Sequence, residues 1–232
     1  MEKPTLSVVV PVYNGASTIA ACLRALGGAL PGGGEILVVD DGSDDGTPEI
    51  VEGFDVTLIR HERNRGTSAA RNTGWRAAAA ARIAFVDADV VVHPRALERM
   101  MSWLDAEPDR LGVNGILALE ISTPGLVSAF ANTSIHYQHR RHGAFVASAF
   151  TSVCLMRREA LQQMGGWDER WFSRYGDDIA TRFSLPADAI RMDCDIQGEH
   201  LKSVKLGGLL KHRFNVGYFF LRICRSNAQV VR

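Results

Sequence analysis

Short apolar runs alternate with polar, helix-forming stretches along the first half of the chain. Each run is rich in β-branched residues and ends at a cluster of polar residues or Gly, a pattern typical of buried strands followed by turns. The stretches between them contain capping residues or many alanines, which indicates helices. The pattern predicts strands at 5–12, 35–39, 56–60 and 83–86, and helices from about 17 to 26, from 47 onward and at 68–81.

This alternation of strands and helices predicts a parallel sheet with helices on its faces, in which ligands bind at the carboxyl ends of the strands. The second half of the chain is less regular. It predicts strands at 111–121 and 144–156, with helices at 94–104 and 157–164. Residues 122–143 give mixed signals, so we expect a flexible acceptor or lid loop there. Its histidines could also be read as metal ligands; they are His136, His139 and His142.

The composition is that of an ordinary globular protein, with 46% hydrophobic and 22% charged residues. A chain of 232 residues is long enough for one domain with its own core. The four cysteines lack CxxC spacing, so we expect buried thiols in a reducing compartment rather than disulfides or a zinc site. The sequence has neither a signal-peptide pattern nor a run of about 18 apolar residues, which predicts a cytoplasmic protein.

The net charge is zero, with 26 Lys and Arg against 26 Asp and Glu, which argues against a nucleic-acid-binding protein. This balance conceals an asymmetry. Residues 200–232 contain seven Lys or Arg and no acid, which leaves 19 basic against 26 acidic residues in 1–199. The tail also carries Phe214, Tyr218 and Leu221 on one helical stripe. Such a basic amphipathic helix binds an anionic membrane, here the inner face, or packs on its parent domain.

Carboxylates cluster just after two of the predicted strands. Asp87 and Asp89 are two residues apart, so they can face one side and share a hard divalent cation, or form a solvated turn. Asp40 and Asp41 end the second strand, where one carboxylate can accept a hydrogen bond from a ligand N–H, such as that of a pyrimidine ring. A simple turn is the alternative. Tyr13, at the end of the first strand, can stack on the same ring.

Two further positions carry charge that a ligand can use. Arg71 lies in the alanine-rich helix, where it can reach a nearby anion or remain a solvated helix residue. Asp177 and Asp178 precede a helix, so they either cap that helix or include a general base that accepts a hydroxyl proton.

Five motifs follow one another along the chain: SVVVPVYNGAST, EILVVDDGSDDGT, RNRGTSAARNTG, IAFVDADV and GGWDERWFSRYGDDIATRF. In this order and spacing they resemble the family-2 glycosyltransferases with the GT-A fold, over about residues 5–185. The likeness weakens over 110–145 and after 200. It implies a single Rossmann-like, mostly parallel central sheet flanked by helices, with a C-terminal helical appendage. The implied domains are a nucleotide-sugar-binding catalytic domain, 1–199, and a basic amphipathic segment, 200–232.

The resemblance also assigns the donor site. Pro11 and Tyr13 match the turn that contacts the nucleotide base. Asp41 matches the acidic residue of that base site, with Asp40 beside it. Arg71 falls in the family's ARN motif and is expected to contact the donor.

The metal and catalytic residues follow from the same resemblance. Asp87 and Asp89 match the DxD motif, whose last Asp binds Mn²⁺ or Mg²⁺ bridging the donor diphosphate. His200 resembles a further metal ligand of some GT-A enzymes, although a lone His is more often a surface residue. Asp178 matches the catalytic base, whereas Asp177 stands where the family usually has Glu.

The implied activity is the inverting transfer of a sugar from a nucleotide-sugar donor, expected to be a UDP-sugar, by metal-assisted direct displacement. The acceptor is expected to be a glycan, a lipid-linked or another hydroxyl compound. A non-catalytic nucleotide-sugar or glycan-binding module is the alternative. A sugar-nucleotide pyrophosphorylase would carry basic residues after the first strand, and 13–23 has none. P-loop and dinucleotide-binding motifs are absent from the sequence.

Overall fold

One central β-sheet runs through the molecule, and helices cover both of its faces. The computed structural model describes residues 3–120, 122, 125–169, 185–201, 203–211, 213–215 and 218. Its strands are β1 (Ser7–Val12), β2 (Glu35–Asp40), β3 (Thr57–Arg60), β4 (Arg82–Val86), β5 (Val90–Val92), β6 (Gly112–Leu117), β7 (Phe145–Val146), β8 (Val153–Arg157) and β9 (Ile190–His200). Its helices are α1 (Ile19–Ala29), α2 (Thr47–Val51), α3 (Thr67–Ala77), α4 (Ala96–Ala106), α5 (Leu126–Arg140) and α6 (Arg158–Gln163).

The strand order is β3-β2-β1-β4-β8-β6-β9-β5, and β7 also pairs with β9. The first four strands of this order are parallel to one another. β8 runs antiparallel to both β4 and β6, whereas β6 and β9 are parallel. The carboxyl ends of β1, β2, β4, β6 and β9 therefore lie at one edge of the sheet. The predicted α/β fold, with a sheet between helices, is confirmed.

Both faces of the sheet are buried, which explains why β1 has no polar alternation. Val8 and Val10 pack with α1 and α4 on one face, whereas Val9 packs with α3 and α6 on the other. All six residues of β1 are buried. Such a strand, buried on both faces, holds its carboxyl end in a fixed position.

Two predicted helix ends in the first half differ from the structure, and one strand was not predicted. α1 continues through two glycines to Ala29 and ends just before Pro31, because glycine only weakens a helix whereas proline stops it. α3 ends at Ala77 rather than 81, since the Arg158 guanidinium binds the carbonyls of Trp75, Ala78 and Ala80 and holds the chain there. β5 was not predicted, because its three valines follow directly on the acidic turn after β4.

The flexible loop predicted for 122–143 is wrong, since most of this stretch forms α5. Asn132 Nδ2 donates to the carbonyls of Ala118 and Leu119, just beyond β6. His136 Nδ1 lies 2.8 Å from the carbonyl oxygen of Leu117, at the end of β6. These buried polar bonds attach the helix to the sheet edge. The pattern of hydrophobic residues along the sequence carries no information about such bonds, so it does not predict this helix.

The predicted strand over 144–156 is also wrong in part. It divides into β7 and β8, which pair with different strands. The long strand β9 was not predicted, because 185–200 mixes acidic and apolar residues without a clear period.

Residues 206–211, 213–215 and 218 form a C-terminal helix, which confirms the helical appendage. It lies beside α5: the Val204 amide donates to Ser128 Oγ at 2.9 Å, and Arg213 Nη2 donates to Ser134 Oγ. Across the part of the chain that the structure describes, no helix combines the length and hydrophobicity that crossing a bilayer requires.

Candidate active site

The Asp87 carboxylate, just after β4, is held by two side chains. Its Oδ1 accepts a hydrogen bond from Arg71 Nη2 at 2.9 Å, and its Oδ2 accepts one from Ser152 Oγ at 3.0 Å. Arg71 is only 3% exposed, and its guanidinium lies 5.7 Å from the ring centre of Trp167. Arg71 is therefore not a solvated helix residue; it fixes the orientation of the first Asp of the DxD motif.

Asp89 and His200 form the adjacent pair. Asp89 Oδ2 lies 3.4 Å from His200 Nε2, because Val90 of β5 pairs with His200 of β9. The Leu201 amide donates to the Asp89 carbonyl at 2.8 Å and fixes this juxtaposition. Both side chains are partly exposed. The structure thus brings together two of the predicted metal ligands, which lie far apart in the sequence.

A carboxylate is a ligand type that suits Mn²⁺ and Mg²⁺, and an imidazole nitrogen is a common ligand of first-row transition metals. Within the described residues, no three acidic, His or Cys side chains converge as a metal-binding group. Asp89 and His200 would therefore supply two protein ligands, and phosphate oxygens and water would supply the others, as in many diphosphate sites. With phosphate and water as the other ligands, the Asp89 carboxylate and the His200 imidazole fit a divalent cation.

Asp41, at the end of β2, is buried in a network that the sequence did not reveal. Its Oδ1 accepts hydrogen bonds from His61 Nδ1 at 2.7 Å and from the Arg65 amide at 2.9 Å. Its Oδ2 accepts one from the Gly66 amide at 2.7 Å. Since a carboxylate has about four acceptor positions, one remains for a ligand N–H. The network orients Asp41 and joins β2 to the start of α3.

Asp40, fully buried, has a different environment. Its Oδ2 lies 3.1 Å from Arg60 Nε, and its Oδ1 accepts a hydrogen bond from the Ser43 amide at 3.1 Å. Its Oδ1 is thus hydrogen-bonded within the β2–α2 turn, whereas its Oδ2 is ion-paired with the last residue of β3 and accepts no hydrogen bond from the described residues. Of the two neighbouring carboxylates, Asp41 is held by more hydrogen bonds and is the more firmly oriented.

The β1–α1 loop is hydrogen-bonded to the β2–α2 loop. Asn14 takes a left-handed backbone conformation, with φ of 51°. Pro11 is buried within β1, whereas the Tyr13 ring beside this loop is 37% exposed. The four bonds between the loops are Asn14 N to Ser43 Oγ, Gly15 N to Thr47 Oγ1, Ala16 N to Asp45 Oδ2, and Asp44 N to Asn14 Oδ1. The predicted base site is therefore built from two mutually braced loops.

The Gly165–Glu169 segment, which precedes 170–184, is anchored to α3 by Asn72. The buried amide of Asn72 bonds both main-chain groups of Trp167, and its Nδ2 also donates to Glu169 Oε1 at 2.7 Å. Gly166 has φ of 84°, and a Cβ there would clash with Asn72 Oδ1. This role of Asn72 has no signal in the sequence, although Asn72 follows Arg71 directly. Asp177 and Asp178 lie outside the described residues.

Cys22 contacts the back of the acidic site, where its Sγ lies 3.7 Å from the Asp87 carbonyl oxygen. Burial raises the pKa of this thiol, and the negative charges of Asp89 and Asp87 raise it further. Cys22 therefore stays protonated. Among the described cysteines, Cys22, Cys154 and Cys194 form no disulfide; Cys22 and Cys154 are buried, as expected, whereas Cys194 is only partly buried.

The histidines of α5 do not converge as a metal site within the described residues. His136 is buried against β6, whereas the His139 ring stacks on Phe150 with centroids 4.6 Å apart. The His142 ring also contacts Phe150, with centroids 5.3 Å apart. Burial, and then the neighbouring His142 and His136, lower the pKa of His139 to about 4. The cluster is a stacked aromatic group.

The mostly parallel central sheet between two layers of helices is the architecture predicted for a GT-A fold. The structure resembles that of S. aureus TarS 1–349 in complex with UDP-GlcNAc, with a TM-score of 0.65 and 21% identity over 87% of this chain and 59% of TarS. It also resembles the mannosyltransferase PcManGT from Pyrobaculum calidifontis in complex with GDP-Man and Mn²⁺. That TM-score is 0.59, with 25% identity over 84% of this chain and 58% of the other. The predicted GT-A fold is confirmed.

Residues 7–165 match the model of glycosyl transferase family 2. The chain is 30% identical to glycosyltransferase AglE of Haloferax volcanii over 92% of its own length and 72% of AglE. It is 32% identical to the putative glycosyltransferase EpsH of Bacillus subtilis over 65% of its length and 44% of EpsH. The chain therefore belongs to glycosyl transferase family 2. It matches 72% of the length of AglE but less than half of the length of EpsH.

Proposed function

We propose that this chain transfers a sugar from a nucleoside diphosphate donor to an acceptor hydroxyl, with UDP as the nucleotide and with inversion. The observation that carries the proposal is the Asp87 carboxylate held by Arg71 and Ser152 beside the Asp89–His200 pair. Family membership supports the reaction class. Complexes of structural neighbours with UDP-GlcNAc and with GDP-Man support the donor class.

Asp89 and His200, with Asp87 beside them, would hold Mn²⁺ or Mg²⁺. Mn²⁺ in the PcManGT complex supports this assignment. When bound, such a cation neutralises the negative charge that develops on the leaving diphosphate. Neither residue alone is a sufficient ligand, so the loss of either should weaken donor binding.

The chain's own residues perform the other steps. Asp41 accepts an N–H of the base through its remaining acceptor position, and Tyr13 stacks on the ring. Pro11 and Asp40 support this base-binding site. Arg71 keeps Asp87 oriented toward the donor. Asp178 takes the proton of the acceptor hydroxyl on the side opposite the leaving group, which gives inversion. Asp177 supports Asp178.

Residues 1–199 would carry the donor and catalytic sites, and 200–232 would form a separate basic segment that meets the acceptor or an anionic membrane. The acceptor is then a glycan or a lipid-linked hydroxyl compound at the cytoplasmic face of the membrane. The absence of Asp and Glu from 200–232 supports this division.

The direct test is release of nucleoside diphosphate from a panel of UDP- and GDP-sugars, with and without Mn²⁺. We expect release from a UDP-sugar that requires the cation and is lost in Asp89→Asn. Donor binding without any release, with every acceptor class tried, would indicate a binding module instead.

Replacement of the proposed base separates chemistry from binding. In Asp178→Asn we expect nearly unchanged donor affinity and a turnover about 10²-fold or more lower, since a positioned base contributes this much. Asp188→Asn is the matched control, because Asp188 is an exposed carboxylate paired with Arg110. Wild-type turnover in Asp178→Asn would refute the assignment.

A further inference from the structure

Two neighbouring helices expose large apolar side chains along one stripe each. On α5, Leu126, Phe130 and Tyr137 are 90%, 64% and 58% exposed. At 100° per residue they fall within about 40° of one another around the helix. On the C-terminal helix the exposed stripe repeats every four residues, at Leu206, Leu210, Phe214 and Tyr218. Exposed apolar patches of this kind mark interaction surfaces.

The contacts between the helices put both stripes on the same side. Val204 lies beside Ser128 and Arg213 lies beside Ser134, so the two helices run in the same direction. On α5, Ser134 lies to one side of the exposed stripe. On the C-terminal helix, Arg213 and the buried Leu209 lie to the opposite side of the exposed stripe. Because the helices are parallel and contact each other through opposite sides of their stripes, both stripes face the same side of the helix pair. We call these seven side chains the two-helix face.

The charged residues of the two helices have one sign. Residues 121–158 contain no Asp or Glu, and neither do 200–232, although the whole chain has 26 acidic residues. These two acid-free segments contain the two helices that pack together. The exposed basic residues on and beside them are Arg140, Arg141, Lys205, Lys211 and Arg213.

We propose that the two-helix face, including α5, binds the surface of an anionic lipid bilayer. Apolar side chains enter the boundary between headgroups and acyl chains, and the surrounding Lys and Arg attract anionic headgroups. A second copy of the chain is a poorer occupant. A symmetric dimer through this face would bring the same basic residues against one another.

The location of this face gives the proposal its functional meaning, which rests on the proposed function. β9 ends at His200, beside Asp89, and the C-terminal helix begins at residue 206. α5 is attached to the end of β6, at the same edge of the sheet. Docking would therefore hold the proposed donor site at the bilayer, where a lipid-linked acceptor is concentrated.

Vesicle flotation with the full chain tests the proposal. The probes are phosphatidylcholine vesicles with and without phosphatidylglycerol. We expect flotation with the anionic vesicles and its loss at about 1 M salt, where the screening length falls to about 3 Å. Failure to float with anionic vesicles at low salt would overturn the proposal.

Two paired variants locate the surface. Leu126→Ser with Phe130→Ser removes two of the three α5 anchors, and Leu210→Ser with Phe214→Ser removes two of the four on the C-terminal helix. We expect each pair to lower vesicle affinity about tenfold or more, since each removes two apolar anchors. Arg141→Gln with Lys211→Gln should lower it about fivefold per charge, whereas Arg24→Gln, exposed on α1, should not. Circular dichroism melting verifies that each variant folds.

An unchanged affinity in the α5 pair, with reduced affinity in the other pair, would exclude α5 from the surface. Dimerisation in light scattering that the same variants abolish would assign the face to a second copy and overturn the proposal. Nucleoside diphosphate release with a soluble acceptor is measured in parallel. If release persists while flotation fails, the proposed function stands and only the membrane surface is refuted.

Discussion

Asn72 offers the sharpest test of how the segment before 170–184 is positioned. Its side chain is 2% exposed and uses all of its hydrogen-bonding capacity. Nδ2 donates to the Trp167 carbonyl at 2.8 Å and to Glu169 Oε1 at 2.7 Å. Oδ1 accepts from the Trp167 amide at 2.8 Å and from Trp75 Nε1 at 3.1 Å. Truncation to alanine would leave both main-chain groups of Trp167 without these partners.

Each such buried group costs about 1–3 kcal/mol when its partner is removed. For Asn72→Ala we therefore expect a loss of about 3 kcal/mol in the free energy of unfolding. The partly exposed Glu169 bond adds little. For a protein of this size, that loss lowers the melting temperature by about 6–12 °C.

Urea unfolding followed by tryptophan fluorescence measures the change, with Asn64→Ala as the matched control. Asn64 is only partly buried, and its Oδ1 accepts a hydrogen bond from the Gly66 amide at 3.1 Å. We expect a loss of about 1 kcal/mol or less for that variant. Equal losses in the two variants would show that the Asn72 network contributes no special stability.

The remaining predictions concern a histidine and a serine. Because the pKa of His139 is lowered to about 4 from an ordinary 6.5, the unfolded chain takes up its proton first. Stability should therefore be full above about pH 6.5 and fall as the pH drops toward 4. His139→Phe should flatten this slope in unfolding titrations, and His142→Phe should flatten it only in part, because burial is the larger cause of the lowered pKa of His139. Ser152→Ala should raise the donor KM about tenfold, because Asp87 loses one of its two fixing bonds, and Ser152→Thr should restore it. The exposed Ser102→Ala is its control, and equal effects of the two alanines would contradict the positioning role.

The parallel half of the fold could be predicted from the sequence, because the relevant signals are local. β1 and β2 are uninterrupted apolar runs that end at Gly and Asp, and their boundaries were predicted within two residues. α5 and β9 could not be predicted in the same way. Their stability comes from long-range polar bonds such as that of His136 with Leu117, and from pairing with several other strands. Periodicity does not record such contacts.

The candidate site divides along the same line. Asp87 and Asp89 are two residues apart in sequence, so their shared location could be predicted from spacing. The contact of Asp89 with His200 depends on the register of β5 and β9 and could be predicted only by resemblance. Ser152 and Asn72 had no signal of their own, since one serine and one asparagine are unremarkable in any sequence. Their roles emerge from where β8 and α3 bring them.

The reciprocal bonds between the β1–α1 and β2–α2 loops have a consequence for engineering and for evolution. Each loop supplies both donors and acceptors to the other, so a substitution in one loop removes a partner from its neighbour. Neither loop can be exchanged alone without leaving main-chain amides unpaired. Attempts to alter nucleotide preference should therefore transplant residues 13–16 and 43–47 as one cassette. Libraries that randomise a single loop would sample mostly variants in which the other has lost its support.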